Sequence, residues 1–204
     1  MPCQCGLDNS EAIRLQFHES GLRTAFVLPE VLERMRIGLL SDTHIPEAVK
    51  ELPMAQLKAA FKGVDLIMHG GDIYYRSVLE DLSQIAPVIA ALGDDDFGST
   101  LQDERVKDKH VLNIEGHRIW LVHERPKMFN PPPPPHRRAY ELRNIEIPDV
   151  VVFGHQHKTI VESYEGMLLV SPGSPTFLHY RQGLGTVGIL NINDGKVDVN
   201  ILQL

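Results

Sequence analysis

The sequence predicts an α/β fold built from two packed β-sheets, and two observations carry that prediction. Between Arg36 and Leu92, short apolar runs alternate with helix-like stretches, an order that demands parallel strands with crossover helices. After Lys109 the pattern changes to paired runs of alternating apolar residues around tight polar turns, which is the signature of antiparallel hairpins.

Residues 1–35 are mixed and polar and read as an N-terminal extension, with a short helix from Pro29 to Met35. The domain then runs from 36 to 204. Ile37 to Leu40 is the first buried strand, ending in Ser41-Asp42-Thr43-His44. Pro46 opens a helix whose apolar face is Val49, Leu52, Leu57, Ala60 and Phe61, and Gly63 terminates it. Val64 to Met68 is the second strand, running into His69-Gly70-Gly71-Asp72; a helix over Ser77 to Ile85 follows, and then the strand Val88 to Leu92 before Gly93-Asp94. In such sheets ligands gather beyond the carboxyl ends of the strands.

Three hairpins are expected in the second half. His110–Ile114 pairs with Arg118–Val122 around Glu115-Gly116, Thr159–Ser163 with Met167–Val170 around Glu165-Gly166, and Thr186–Ile192 with Lys196–Leu202 around Asn193-Asp194-Gly195. Val150 to Phe153 is a further buried strand. The Pro131–Pro135 run reads as a stiff polyproline-type loop, and His136–Asn144 as a helix.

The composition excludes several function classes. A net charge of -7 and a pI near 5.8 give no global attraction to nucleic acid or to an anionic membrane. A phosphate-bearing substrate must therefore be drawn in locally, and bound cations would do so. The two cysteines, Cys3 and Cys5, form no disulfide framework, and no second Cys/His pair follows at zinc-finger spacing. No run reaches membrane-spanning length, and the start lacks a signal-peptide pattern, so a reducing cytoplasm is expected.

The chemistry lies at the strand ends. A lone Asp or His after a strand is commonly a loop cap, but here the pattern recurs: Asp42-x-His44, Gly71-Asp72, Asp94, His123, and Gly154-His155-Gln156-His157. In an extended segment Asp42 and His44 share a face and can reach one ion. Glycines 70 and 71 let the chain before Asp72 turn sharply. Mixed imidazole and carboxylate donors suit Mn, Fe, Zn, Co or Ni. Seven ligands exceed the needs of one ion. They fit two, about 3.5–4 Å apart and sharing a carboxylate, an arrangement suited to phosphoryl displacement.

Asp42-x-His44, Gly71-Asp72, Gly93-Asp94-x-Asp96, His123 and Gly154-His155-x-His157, in that order, resemble the calcineurin-like metallophosphoesterase superfamily over residues 36–204. Ser171-Pro172-Gly173-Ser174 further resembles the Asn-Pro-Gly-Ser turn of its small single-domain phosphodiesterase branch. The resemblance implies a four-layer αββα sandwich with Asp42, His44 and His157 on one metal, Asp94, His123 and His155 on the other, and Asp72 bridging. It implies two divalent metal ions, Mn²⁺ first and Fe, Ni, Zn or Co as alternatives, and hydrolysis of a phosphate ester by a metal-bridging hydroxide, with a diester preferred over a monoester.

The sequence departs from the family at Asp94, where an asparagine is usual, and at Asp95, where some relatives carry a histidine that protonates the leaving group. Asp94 adds negative charge, which favours metal binding and weakens the pull on an anionic phosphate. Asp95 is the candidate acid. Arg125 is the candidate cation for the phosphate oxygens, with His179 and Arg181 as alternatives. His69 reads as a residue that orients a ligand from behind. His18, His110, His117 and His136 match no motif and read as exposed or structurally satisfied.

Two function classes compete. The first is a phosphoesterase acting on a small phosphorylated molecule or nucleotide, with no membrane or strong nucleic-acid partner and with a homo-oligomer allowed. The second is a scaffold, because the branch includes a retromer subunit that keeps the fold for protein assembly and also has an aspartate in place of the metal-binding asparagine. Against the scaffold, both histidines of Gly154-His155-Gln156-His157 remain. A nuclease reading would need a basic groove or a capping domain, and neither is visible.

Overall fold

The computed structural model describes residues 34–127, 146–176 and 183–204. The sequence expectations for Cys3, Cys5, His18, Pro131–Pro135, the helix His136–Asn144, His179 and Arg181 lie outside them, as does most of the Pro29–Met35 helix. Arg34 and Met35 belong instead to the first strand.

The strands, in chain order, are β1 (Arg34–Leu40), β2 (Leu66–His69), β3 (Val88–Ala91), β4 (Val106–Lys107), β5 (Lys109–Ile114), β6 (His117–Val122), β7 (Val150–Val152), β8 (Thr159–Tyr164), β9 (Met167–Pro172), β10 (Thr186–Asn193) and β11 (Lys196–Gln203). The helices are α1 (Met54–Ala60) and α2 (Ser77–Leu82), with a 3₁₀ turn at Gly98–Gln102. One sheet has the order β11-β10-β1-β2-β3-β4 and the other β5-β6-β7-β9-β8. The expected parallel run is present in β1, β2 and β3, with β4 added beyond it. Both sheets are mixed. The third hairpin joins the first sheet, where β10 pairs antiparallel with β1, so the hairpins do not make a sheet of their own.

Side chains sort between the layers with the strand period of two. Ile37 and Leu39 of β1, Ile119 and Leu121 of β6, and Val150 and Val152 of β7 are buried between the sheets. Leu40 and Ile67 instead meet Leu57, Phe61, Val78, Leu79 and Leu82 of the helical layer. Gly38 lets the Phe61 ring lie against β1, because a Cβ there would approach it at 3.0 Å. The outer face of the second sheet carries Trp120, Val122, Val151, Phe153 and Leu169, packed with Ile147. The chain is thus an α/β sandwich of two packed sheets with helices against the first.

The first helix begins at Met54, later than the Pro46 start expected from its apolar face. Pro53 accounts for the delay: a residue preceding proline is steered away from helical geometry, which disfavours a helix through Leu52. Leu52 still enters the core, from an irregular segment. All three hairpin turns have positive φ at both central positions, Glu115-Gly116, Glu165-Gly166 and Asp194-Gly195, as two-residue turns between right-twisted strands require.

Candidate metal centre

The loops after β1, β2, β3, β6 and β7 meet at one end of the sandwich, where backbone bonds lace them together. Asp42 N–H donates to Gly71 O at 2.9 Å, His44 N–H to Asp72 O at 3.0 Å, and Gly154 N–H to His123 O at 2.8 Å. Ile45 and Tyr74 form an isolated parallel bridge that continues the β1–β2 pairing past the ligand loops. The Ser171-Pro172-Gly173-Ser174 turn supports the same region from the second sheet. Ser174 Oγ donates to Asp42 O, and Thr176 Oγ1 to Thr43 O, both at 2.7 Å.

Asp42 and His44 do converge, but not as an extended pair. Both have left-handed backbones, with φ of 55° and 43°, as do Asp72, His155 and His157. Such conformations in non-glycine residues cost about 1–3 kcal/mol each and persist where the surroundings fix them. Five of the seven candidate ligands carry that strain, so the loops are shaped around the convergence of these side chains.

Two overlapping clusters result, Asp42, His44, Asp72 and His157 in one, and Asp72, Asp94, His123 and His155 in the other, with ligand atoms in each all within 4.8 Å of one another. In the first, His44 Nε2 lies 3.1 Å from His157 Nε2 and 3.4 Å from Asp72 Oδ2, and His157 Nε2 lies 3.6 Å from Asp42 Oδ1. In the second, His123 Nε2 lies 2.7 Å from Asp94 Oδ1 and 3.4 Å from Asp72 Oδ2, and His155 Nδ1 lies 3.1 Å from Asp94 Oδ1. Two atoms bound to one ion at about 2.0–2.2 Å can be no more than about 4.4 Å apart, so the pairs named above, between 2.7 and 3.6 Å, fit a common ion. Asp42 Oδ2 adds a further sign, being buried without an aligned hydrogen-bond donor although the Ser41 hydroxyl is close by.

Neighbouring groups set the protonation of these donors. Burial pushes the Asp42 carboxyl up from 3.8 to about 7, against the Ser41 hydroxyl, His123 and the His155 N–H. Burial also raises Asp72 and lowers His44. Burial lowers His123 too, but the Asp72 charge and the Gly70 carbonyl outweigh it and raise the imidazole overall. Its Nδ1–H donates to Gly70 O at 2.7 Å, which turns Nε2 toward the cluster. For Asp94, burial is outweighed by its own backbone N–H and by His123, so it stays below the ordinary carboxyl value.

His69 is fully buried, and burial lowers its imidazole to about 3, so it is neutral. Gly71 N–H donates to its Nδ1 at 3.2 Å, so the proton sits on Nε2 and reaches Thr43 Oγ1, also at 3.2 Å. His69 thereby braces the two segments that carry Asp42, His44 and Asp72. His110 Nε2–H donates to the Ala90 and Arg105 carbonyls, a structurally satisfied histidine, and His117 reaches Gly195 O.

Asp95 stands at the mouth of the site with a 56% exposed side chain, its Oδ2 3.9 Å from His44 Nδ1 and 3.5 Å from the Tyr74 hydroxyl. Its N–H donates to Asp72 Oδ1. Arg125 pairs with Glu162 at 2.5 Å and lies over the Tyr164 ring, whose side chain packs with the outer face of the second sheet. Sequence reasoning missed two contributors. Asp96 accepts the N–H groups of Ile73, Tyr74 and Gly93, tying the Asp72 and Asp94 loops. Tyr74 sets its ring edge-on to His44 at 5.0 Å and donates its hydroxyl to Glu47. Asp96 lay within the quoted motif; nothing in the sequence marked Tyr74.

The sequence pattern of the calcineurin-like phosphoesterase superfamily domain matches residues 35–195. The chain belongs to that superfamily. A probable metallophosphoesterase of Methanothermobacter thermautotrophicus is 32% identical over 172 residues, 83% of this chain and 92% of the relative. A phosphodiesterase of Methanocaldococcus jannaschii is 28% identical over 77% of this chain and 93% of its own. The solved structure of vacuolar protein sorting 29 from Cryptosporidium parvum shares the fold, with a TM-score of 0.58 at 22% identity over 84% of this chain and 98% of that one. In this calcineurin-like protein, family and donor set together support binding of divalent metal and a phosphoesterase activity. No helix among the described residues is long and apolar enough to cross a membrane.

Proposed function

We propose that this protein is a phosphodiesterase that uses two divalent metal ions, Mn²⁺ in the first instance, to hydrolyse a small phosphate ester or nucleotide in the cytoplasm. The observation that carries the reading is the pair of donor clusters sharing Asp72. Asp42, His44 and His157 would hold one ion, Asp94, His123 and His155 the other, and Asp72 both. Bound there, such ions supply Lewis acidity toward phosphate oxygens and lower the pKa of water.

The chain's own residues do the rest. Gly70 O fixes the His123 ring and His69 braces the loops behind Asp42 and Asp72, so the donors are preorganised. Asp95, whose Oδ2 lies 3.5 Å from the Tyr74 hydroxyl, is the candidate donor of a proton to the leaving alcohol. Asp94 moderates the pull on an anionic substrate. Arg125 remains a candidate phosphate contact only if it leaves Glu162, and its present geometry favours a role in supporting the loop after His123.

The scaffold reading is favoured by the fold shared with vacuolar protein sorting 29 and by Asp94, but the four candidate imidazole ligands all converge on the site. The deciding experiment strips metal, resupplies Mn²⁺, Ni²⁺ or Zn²⁺, and follows an aryl phosphodiester and an aryl phosphomonoester, with Asp72→Asn as control. Metal-restored diester turnover lost in the variant is expected. Faster monoester turnover would reassign the ester class, two bound ions without turnover would favour the scaffold, and no bound metal would remove the site.

A further inference from the structure

A run of aromatic rings leads away from the first donor cluster. Tyr74 sits edge-on to His44, Phe97 lies against Tyr74 with ring centroids 5.6 Å apart, and Tyr75 meets Phe97 edge-on at 5.9 Å. Phe97 is 48% exposed and Tyr75 46%. These rings come from the loops that follow β2 and β3, the same two loops that carry Asp72, Asp94 and Asp95. Single exposed aromatics are ordinary on protein surfaces. An exposed pair joined through one ring to a candidate metal ligand is better explained by a ligand that lies across it.

The charges around the pair narrow the choice. Glu47 and Asp95 both contact the Tyr74 hydroxyl, and Asp94 is exposed close by. Three carboxylates disfavour a second phosphate, as in a polyphosphate, and Glu47, which belongs to neither donor cluster, can accept hydrogen bonds from the amino or imino N–H groups of a flat heterocycle. Planar bases stack on exposed aromatic side chains whatever their sequence, and their edges remain free for such bonds.

We propose that Phe97 and Tyr75 form a stacking subsite for the base of a nucleoside monophosphate ester, which makes the retained alcohol of the substrate a nucleoside. The inference rests on the phosphodiesterase reading and names the substrate class of that same site. Phe97 is the specificity-determining residue, and Tyr75 fixes its ring from the side.

The test compares two diesters with one leaving group, thymidine 5′-(p-nitrophenyl) phosphate and methyl p-nitrophenyl phosphate, using Mn²⁺-loaded protein. Wild type should favour the nucleosidyl ester in kcat/KM by about tenfold or more, the range that one base–aromatic stack supplies. Phe97→Ala should collapse that ratio and Phe97→Trp should restore it. A purely structural defect would lower both rates and leave the ratio intact, which overturns the proposal, as does a wild type with no preference. If neither ester turns over, the phosphodiesterase reading fails, and calorimetric titration with AMP and with ribose 5-phosphate decides the subsite separately. Tighter AMP binding that Phe97→Ala abolishes upholds it, and equal binding of the two overturns it.

Discussion

Asp42 accepts the backbone N–H of His155 through Oδ1 at 2.8 Å, across a sequence separation of 113 residues. One carboxylate thus positions the loop of the other donor cluster while keeping its own Oδ2 buried without an aligned donor. In the absence of a cation this arrangement is a liability for the fold, because burial pushes the carboxyl up to about 7.

The pH dependence follows directly. The folded value lies above the unfolded one, so the metal-free fold is helped by the proton at low pH and loses stability as pH rises from about 4 to about 7. Asp42→Asn removes that loss. The metal-stripped variant should be more stable than metal-stripped wild type at pH 8, by about 2–4 kcal/mol, and no more stable at pH 4. Adding Mn²⁺ should reverse the order at pH 8. Thermal melts at the two pH values, with and without metal, check all three outcomes.

His69 tests bracing separately from ligation. Its imidazole stays neutral through the working pH range because burial lowers it to about 3, and it links Gly71 N–H to Thr43 Oγ1. His69→Ala should cost about 2–3 kcal/mol of stability through an unsatisfied buried donor and a void. It should also weaken metal binding by about 10- to 100-fold, as loss of a group behind the ligands does. His69→Asn, which retains an acceptor for Gly71 N–H, should recover much of the affinity. Calorimetric metal titration and melting of both variants would settle the point; a His69→Ala protein with wild-type affinity would refute bracing.

These two residues mark where sequence reading succeeds and where it stops. Asp42 and His69 were legible because they end apolar runs, and the period of two placed those runs in strands whose carboxyl ends must meet. The left-handed backbone at Asp42, His44, Asp72, His155 and His157 was not legible, since nothing in Asp-x-His distinguishes it from an extended pair. In the Asp42–His44 segment, bonds from Ser174 and Thr176 to the Asp42 and Thr43 carbonyls hold the chain, and such long-range contacts are not written in the local sequence. β4 was missed because Val106 and Lys107 are too short a run among charges to carry a period. The third hairpin was recognised as a hairpin, but only its pairing with β1 assigned it to the first sheet. Tyr74 could not have been found, because its role depends on a ring contact with His44 across the fold.

Gly93 offers a test of close packing around the shared carboxylate. A Cβ at this position would overlap both the backbone N and the Oδ1 of Asp72. Neither atom is the end of a flexible chain, because Asp72 Oδ1 already accepts the Asp95 N–H. Gly93→Ala should therefore displace Asp72 and weaken both ion sites together, lowering metal affinity by about tenfold or more, as loss of ligand orientation does. Equilibrium dialysis should show the two sites failing in parallel, and loss of one site alone would argue against Asp72 as a shared ligand.

Arg125 separates a substrate contact from a support. Its side chain is 12% exposed and pairs with Glu162 at 2.5 Å, while the guanidinium lies 5.9 Å from the centre of the Tyr164 ring. In that position the cation ties the segment after His123 to β8. Arg125→Ala should then cost about 1 kcal/mol of stability, the usual scale of a partly exposed ion pair. Glu162→Ala should cost a similar amount, and the double variant should lose less than the sum, since both changes remove one interaction. KM for an aryl diester should change by less than about threefold in either variant, because removing a group that touches no substrate leaves ground-state binding intact. If Arg125→Ala raises KM more than tenfold while Glu162→Ala lowers it, the guanidinium swings from Glu162 to the phosphate, and Glu162 competes with substrate for the same cation.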